Sequence, residues 1–341
     1  MRRKPPGATN GEPGDERLTK RRARTIIRRP DPGGPLPDYL AARFTYHDRD
    51  GWLELIRQGR LSVNDGPADE ATVLIPGDVL EFRMPEDEPE PPVDREVSVL
   101  FEDETILAAS KPPNLPCHPA GRYFRNTLWA LLLERQPDRR PLFLLNRIDR
   151  ETSGIVLAAK SRWAAGSLGR QFQRKQVFKR YLALVEGRFP RSPLEARGFL
   201  SHDPGSPVRK RRKYHAGPVP EHAGEGAEPC HTTFTGLETF GEVSLVEALP
   251  RTGRLHQIRA TLHALGHPVV GDKLYGPDER IFLRFIQGGI TREDRQRLRL
   301  PRQALHSAEL RVRHPATGTR LRLEAQMPHD MSELLGPSGG P

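Results

Sequence analysis

The sequence is poor in cysteine: Cys117 and Cys230 are the only two in 341 residues. With no Cys-x-x-Cys pair there is no thiolate zinc site, and a disulfide between the two would be out of place in a reducing compartment. His-Glu-x-x-His is also missing, and His256 and His263 stand seven residues apart, so no metal is expected. Neither a Gly-x-Gly-x-x-Gly nor a Gly-x-x-x-x-Gly-Lys-Ser/Thr loop occurs, and no cofactor is expected. No apolar run approaches the ~20 residues that cross a bilayer. The arginines near the start have no apolar core beside them and are mixed with Glu12, Asp15 and Glu16. A cytoplasmic protein without a membrane partner is therefore expected. Internal repeats are absent as well.

What is abundant is positive charge. The net charge of +10 and pI of about 9.9 favour nucleic acid as the partner through counterion release, without saying which one. Residues 1–35 hold ten Lys or Arg against four Asp or Glu; they read as a disordered basic arm, equally suited to RNA contact or to solubility alone. From 36 to 84 the pattern changes. Leu36, Leu40 and Phe44, then Trp52, Leu53 and Ile56, recur at helical spacing. A short strand follows, then an Asn64-Asp65-Gly66 turn and a last strand through Leu80 and Phe82. Residues 85–96 are acidic and proline-rich, a stiff linker. Residues 97–335 mix strands and helices, with 187–230 standing out as a long mobile insertion around Lys210-Arg211-Arg212-Lys213.

Two segments carry candidate chemistry. Asp149 lies between Arg147 and Arg150, just before Thr152-Ser153-Gly154 and a new apolar run. An isolated loop aspartate is usually a turn or cap residue. Here the flanking arginines favour its charged form, and small residues leave room for a substrate backbone. About a hundred residues later, Arg251-Thr252-Gly253-Arg254 precedes a helix whose His256, Arg259 and His263 share the face opposite a leucine stripe. That face either borders a polar cleft around Arg259 or is solvated. The N–H groups at the start of the helix suit a phosphate. Lys179 and Tyr181 point to one side of a strand, where a tyrosine that merely packs is the default.

The motifs resemble two known families. Two short helices followed by Gly-Arg-Leu-Ser-Val-Asn and Pro-Gly-Asp-Val-Leu are similar to the S4 RNA-binding domain, which implies RNA contact through Arg57 and Arg60. Asn146-Arg147-Ile148-Asp149-x-x-Thr152-Ser153-Gly154 resembles the signature of the RluA-type RNA pseudouridine synthases. So do Arg254-x-His256-Gln257-Ile258-Arg259 with Gly271-Asp272 and Leu274-Tyr275-Gly276, Lys179-x-Tyr181-x-Ala183, and Leu305-His306-Ser307-Ala308. Asn146 departs from the usual histidine, and the 187–230 insertion is long.

The resemblance implies an α+β pseudouridine synthase fold: a mixed, mainly antiparallel sheet flanked by helices, with a central cleft, preceded by the small S4-like domain. It implies catalysis by Asp149, Arg259 and Tyr181. Asp149 either attacks the sugar or base covalently or removes a sugar proton, Arg259 keeps it ionised, and Tyr181 packs on the uracil. Substrate contacts are expected from Arg147, Thr152, Ser153, Gly154, Lys179, Arg254, His256 and Gln257, and RNA contacts from Lys210, Arg211, Arg212 and Lys213. A monomer acting on structured RNA, ribosomal before transfer RNA, is expected. A non-catalytic RNA-binding assembly factor and a sugar–base hydrolase are the rival readings.

Overall fold

The computed structural model describes residues 22–28, 33–44, 47–85, 89–136, 141–220 and 226–336. These residues form two compact units, one within Met1–Val93 and His118–Pro141, the other within Asp94–Cys117 and Leu142–Pro341. Of the span expected as one catalytic domain from 97 to 335, residues 118–136 and 141 cluster with the N-terminal unit through long-range contacts.

In the first unit, β1 (Arg22–Ile26), α1 (Leu36–Arg43), α2 (Arg49–Arg57), β2 (Leu61–Val63), β3 (Gly66–Pro67) and β4 (Val79–Arg83) build a sheet of order β1-β4-β2-β3 beside two helices. The helical spacing buries Leu36, Leu40, Trp52 and Ile56 with Phe82 and Phe124 in one core. The Asp48 side chain caps α2 by accepting from the Gly51 N–H at 2.8 Å. Asn64 and Asp65 have φ of 51° and 65°, the backbone that a two-residue hairpin between twisted strands requires. The helix α3 (Leu128–Glu134) starts at Thr127, whose hydroxyl accepts from Ala130 N–H.

Part of the basic arm is not disordered. Residues 22–26 pair antiparallel with β4, Arg22 opposite Arg83 and Ile26 opposite Val79. Their arginines stay on the solvent side while Ile27 is buried, so charge hides a strand. Residues 1–21 and 29–32 of that arm lie outside the described residues. The linker is also partly built in: the Glu90 carboxylate accepts from the Phe124, Arg125 and Asn126 N–H groups at 2.8–2.9 Å.

In the second unit, β5 (Ser98–Glu102), β6 (Ile106–Lys111), β7 (Phe143–Leu144), β8 (Ser153–Ala159), β9 (Phe178–Glu186), β10 (Leu194–His202), β11 (Arg212–Ala216), β12 (Glu228–Phe240), β13 (Val243–Pro250), β14 (Leu305–Arg313) and β15 (Arg320–Glu324) form one sheet. Its order is β11-β10-β12-β13-β9-β14-β8-β6-β5, with β7 on β8 and β15 on β14. Pairing is antiparallel except between β8 and β14. The helix α4 (Arg162–Gln173) covers β8 and β14 through Ala164 and Leu168. On α5 (Gln257–Ala264), Ile258 and Leu262 join a core with β9, β13 and Met331 of α8 (His329–Leu334). Two helices not anticipated from sequence, α6 (Arg280–Ile286) and α7 (Arg292–Leu298), follow α5; α7 opens on a Thr291–Asp294 capping box.

The 187–230 segment is not a loose insertion. It supplies β10, β11 and the start of β12, paired as Phe199 with His215 and Gly198 with Cys230. The basic run masks the strand periodicity of β11. Residues 221–225 lie outside the description. Both cysteines are free and buried, and among the described residues no helix is long and apolar enough to cross a membrane.

Candidate active site

Asp149 sits in the turn between β7 and β8, held by the Thr152 N–H donating to its carbonyl at 3.1 Å. Arg259, a hundred and ten residues away, projects from α5 and places Nη1 2.6 Å from Asp149 Oδ2. Nε and Nη2 of the same guanidinium fork onto Asp272 at 2.7 and 2.8 Å. Asp272 is wholly buried and also accepts from the Leu274 and Tyr275 N–H groups. One buried carboxylate therefore aims the arginine, and the arginine's free end meets the other. Asp149 keeps 27% of its side chain exposed against 8% for Arg259, so a substrate can reach the acid but not displace its partner.

The electrostatics follow from this geometry. Burial works against ionising Asp149, but the charges of His256, when protonated, and Arg259, with hydrogen bonds from Arg259 and Gln303, hold its carboxyl well below the usual carboxylate range. His256 is itself pushed down to about 4 by burial and by Arg259. At neutral pH the imidazole is uncharged, and Arg259 is the cation that matters. The Tyr181 phenol is pushed up to about 12, mainly by burial and further by Asp149, against a hydrogen bond with Ser307. It is neutral at working pH, an apolar wall with a hydroxyl rather than a ready base. Tyr275 packs its ring 5.1 Å from the Arg259 guanidinium, and its hydroxyl meets His256 Nδ1 at 3.0 Å and accepts from Arg212 N–H at 2.8 Å.

Several expected contacts turn inward. Every residue of β8 is buried because β6 and β14 flank it. Ser153 accordingly meets His306 Nδ1 at 3.0 Å. Gly154 has φ 109°, and a Cβ there would overlap the Ser307 carbonyl; the backbone that approaches it belongs to β14. Thr152 is buried and accepts from Gln303 Nε2 at 2.5 Å. The Gln257 amide is spent on Thr252, Arg254, His231 and Thr232. Arg211 is tied to Asp203 at 2.6 Å and to His263 at 3.1 Å. These residues shape the site from within.

Others stay available. Arg147 is exposed. Lys179 donates to the Thr252 carbonyl at 3.0 Å and is lowered to about 8 by burial. Arg254 is exposed, with Glu228 at 3.4 Å. Lys210 is exposed, yet the protein around its ammonium, with Arg209 and Arg147, lowers its pKa. Arg212, Lys213, His263 and Ala260 line a cavity of about 420 Å³ beside α5. In the first unit Arg57 is exposed, 3.4 Å from Glu70, and Arg60 is half-buried. Two residues without an assigned role belong to the site: Gln303, whose Nε2 is 3.3 Å from Asp149 Oδ2, and Asp272, which lay inside a quoted motif with nothing local to reveal its partner. Among the described residues no group of three or more His, Cys, Asp or Glu could hold a metal ion.

A mixed, mainly antiparallel sheet with an aspartate turn ahead of β8 and an arginine helix facing it defines the pseudouridine synthase fold. A solved structure described as human RNA Pseudouridylate Synthase Domain Containing 1 superposes with a TM-score of 0.53 at 28% identity, over 70% of this chain and 86% of that one. The family described as RNA pseudouridylate synthase matches residues 105–264. Ribosomal large subunit pseudouridine synthase C of Pasteurella multocida is 31% identical over 339 residues, 94% of this chain and 96% of that protein. The mitochondrial tRNA pseudouridine(32) synthase of Saccharomyces cerevisiae is 33% identical over 72% of this chain, which spans only 51% of that longer protein. The chain belongs to the RluA-type RNA pseudouridine synthase family, isomerases that convert uridine to pseudouridine in RNA.

Proposed function

We propose that this protein isomerises uridines within structured RNA in the cytoplasm, with Asp149 as the essential carboxylate. The observation that carries the reading is the 2.6 Å contact between a solvent-reachable Asp149 and an Arg259 that Asp272 holds in place. A carboxylate kept ionised in that way can attack the sugar or base, or take a sugar proton. The N-glycosidic bond breaks, uracil turns, C5 bonds to the sugar carbon, the C5 proton leaves and the freed N1 takes up a proton; the change is an isomerisation that needs no redox agent or group donor. Arg259 orients and charges the acid, while Tyr181 offers a neutral aromatic wall for the base. The target base must leave its stack, which costs a few kcal/mol; exposed Arg147 could occupy the vacated place. Phosphate contacts from Lys179, Arg254, Lys210, Arg212 and Lys213 would offset that cost.

Ribosomal RNA is favoured as the substrate. Support comes from the near full-length similarity to a synthase named for the large ribosomal subunit and from reading the first unit as an S4-like domain presenting Arg57 and Arg60. The yeast relative named for tRNA supports transfer RNA as the second choice. Two free thiols suit a reducing compartment. The test is Asp149→Asn with C5-tritiated uridine RNA. The variant should bind RNA as wild type does and release no tritium; turnover by Asp149→Asn would refute the assignment, and free uracil in place of pseudouridine would point to a hydrolase.

A further inference from the structure

We infer that Gln303 is a positioning residue that, with Arg259, reserves Oδ2 of Asp149 and so leaves Oδ1 as the reacting atom; the inference rests on the reading of Asp149 given above. The two oxygens of a carboxylate are chemically equivalent until their surroundings separate them. Here both side-chain hydrogen bonds fall on Oδ2, from Arg259 Nη1 at 2.6 Å and Gln303 Nε2 at 3.3 Å. Among the described residues Oδ1 has no hydrogen-bond donor.

Gln303 is itself held from two directions. It is 2% exposed, and its Nε2 also donates to Thr152 Oγ1 at 2.5 Å. Thr152 in turn donates its N–H to the Asp149 carbonyl at 3.1 Å, so backbone and carboxylate of Asp149 are tied into one ring of contacts. The Gln303 backbone carbonyl accepts from Arg302 Nη1 at 3.0 Å, and Arg302 forks onto Asp330 at 2.6 and 2.7 Å. Next along the chain, the Ala304 N–H donates to the Val270 carbonyl at 2.8 Å. The donors on Oδ2 thus come from α5 and from the segment before β14, and together they stop the carboxylate from turning over. A neutral amide does this without adding a second positive charge against the nucleophile. The other ionisable groups acting on Asp149 are His256 beside α5, Tyr181 on β9 and Tyr275, with Lys111 on β6, Cys117 after it and Lys210 before β11; among the described residues none of them hydrogen-bonds Oδ1.

The test compares Gln303→Met and Gln303→Glu with wild type in single-turnover tritium release across pH. Gln303→Met keeps the length but cannot donate: the rate should fall roughly 10–100-fold with KM within about twofold. Gln303→Glu can donate only while protonated. It should work near wild-type rate at low pH and lose activity as pH rises through the shared titration of Asp149 and the introduced carboxyl, a loss that wild type does not share. A wild-type rate for Gln303→Met, or wild-type pH dependence for Gln303→Glu, overturns the inference. If wild type itself shows no turnover, the proposed function fails, and carbon-13 NMR of labelled aspartate decides for Gln303. An Asp149 carboxyl titration between roughly pH 5 and 8 in Gln303→Glu, absent from wild type, supports it; no such titration overturns it.

Discussion

Removing the Arg259 guanidinium tests the site most directly, because one side chain serves two carboxylates. In Arg259→Ala, Asp272 stays wholly buried with only the Leu274 and Tyr275 N–H groups as donors. Stripping one partner from a buried pair costs about 3–5 kcal/mol, which for a unit of this size lowers the melting temperature by roughly 6–20 °C. Asp149 loses less, since 27% of its side chain is exposed and water screens the pair. Its carboxyl should still climb out of that lowered range to or past the ordinary carboxylate value, because burial then acts unopposed by the guanidinium. The sign follows from the ionised form being the active one. In wild type the carboxyl lies far below the usual range, so no acid limb appears above about pH 4; in the variant, activity should fall as pH drops through roughly 4–6. At neutral pH the acid remains charged but unaimed, and kcat should fall about 10²-fold or more. Arg259→Ala/Asp272→Asn separates the two losses: it should recover most of the melting temperature and none of the rate. Tritium release and thermal melting read both. An unmoved acid limb in Arg259→Ala, or a double variant that regains activity, would refute the pairing argument.

Two other substitutions probe what surrounds the pair. Gly154→Ala must place a Cβ against the Ser307 carbonyl at φ 109°, a strain and overlap of roughly 2–6 kcal/mol; a melting temperature within a few degrees of wild type would show that β8 and β14 can part. Lys179 carries its charge below its pKa of about 8 and loses it above. RNA affinity, measured with Asp149→Asn to prevent turnover, should therefore weaken between pH 7 and 9. Lys179→Met should bind more weakly with that pH step removed and with a salt slope smaller by about 1. An identical pH step in Lys179→Met would exclude it from phosphate contact.

Where a residue's role is set by its neighbours in sequence, it was legible. The spacing of Leu36, Leu40, Trp52 and Ile56 marks α1 and α2, and Asn64-Asp65-Gly66 marks a hairpin whose positive φ values the structure contains. Asp149 and Arg259 were reached through motifs rather than periodicity, since nothing local joins residues 110 apart. The side chains that turn inward against expectation share one cause. Ser153, Gly154 and Gln257 are polar or small residues next to reactive ones, and adjacency in sequence suggested adjacency to substrate. In a strand buried on both faces, as for Ser153 in β8, or on the inward side of a helix start, as for Gln257 in α5, a side chain beside the site points into protein, and its hydrogen-bonding capacity is consumed there. The arginines of β1 and β11 erred in the opposite direction, as charge on an edge strand imitates a solvated loop. Gln303 gave no signal at all: an amide before an apolar strand is commonplace until the fold brings it to Asp149 and Thr152. The members of this site that generate charge were thus visible as motif residues. Those that fix geometry were invisible because their chemistry is neutral, and only their position gives it meaning.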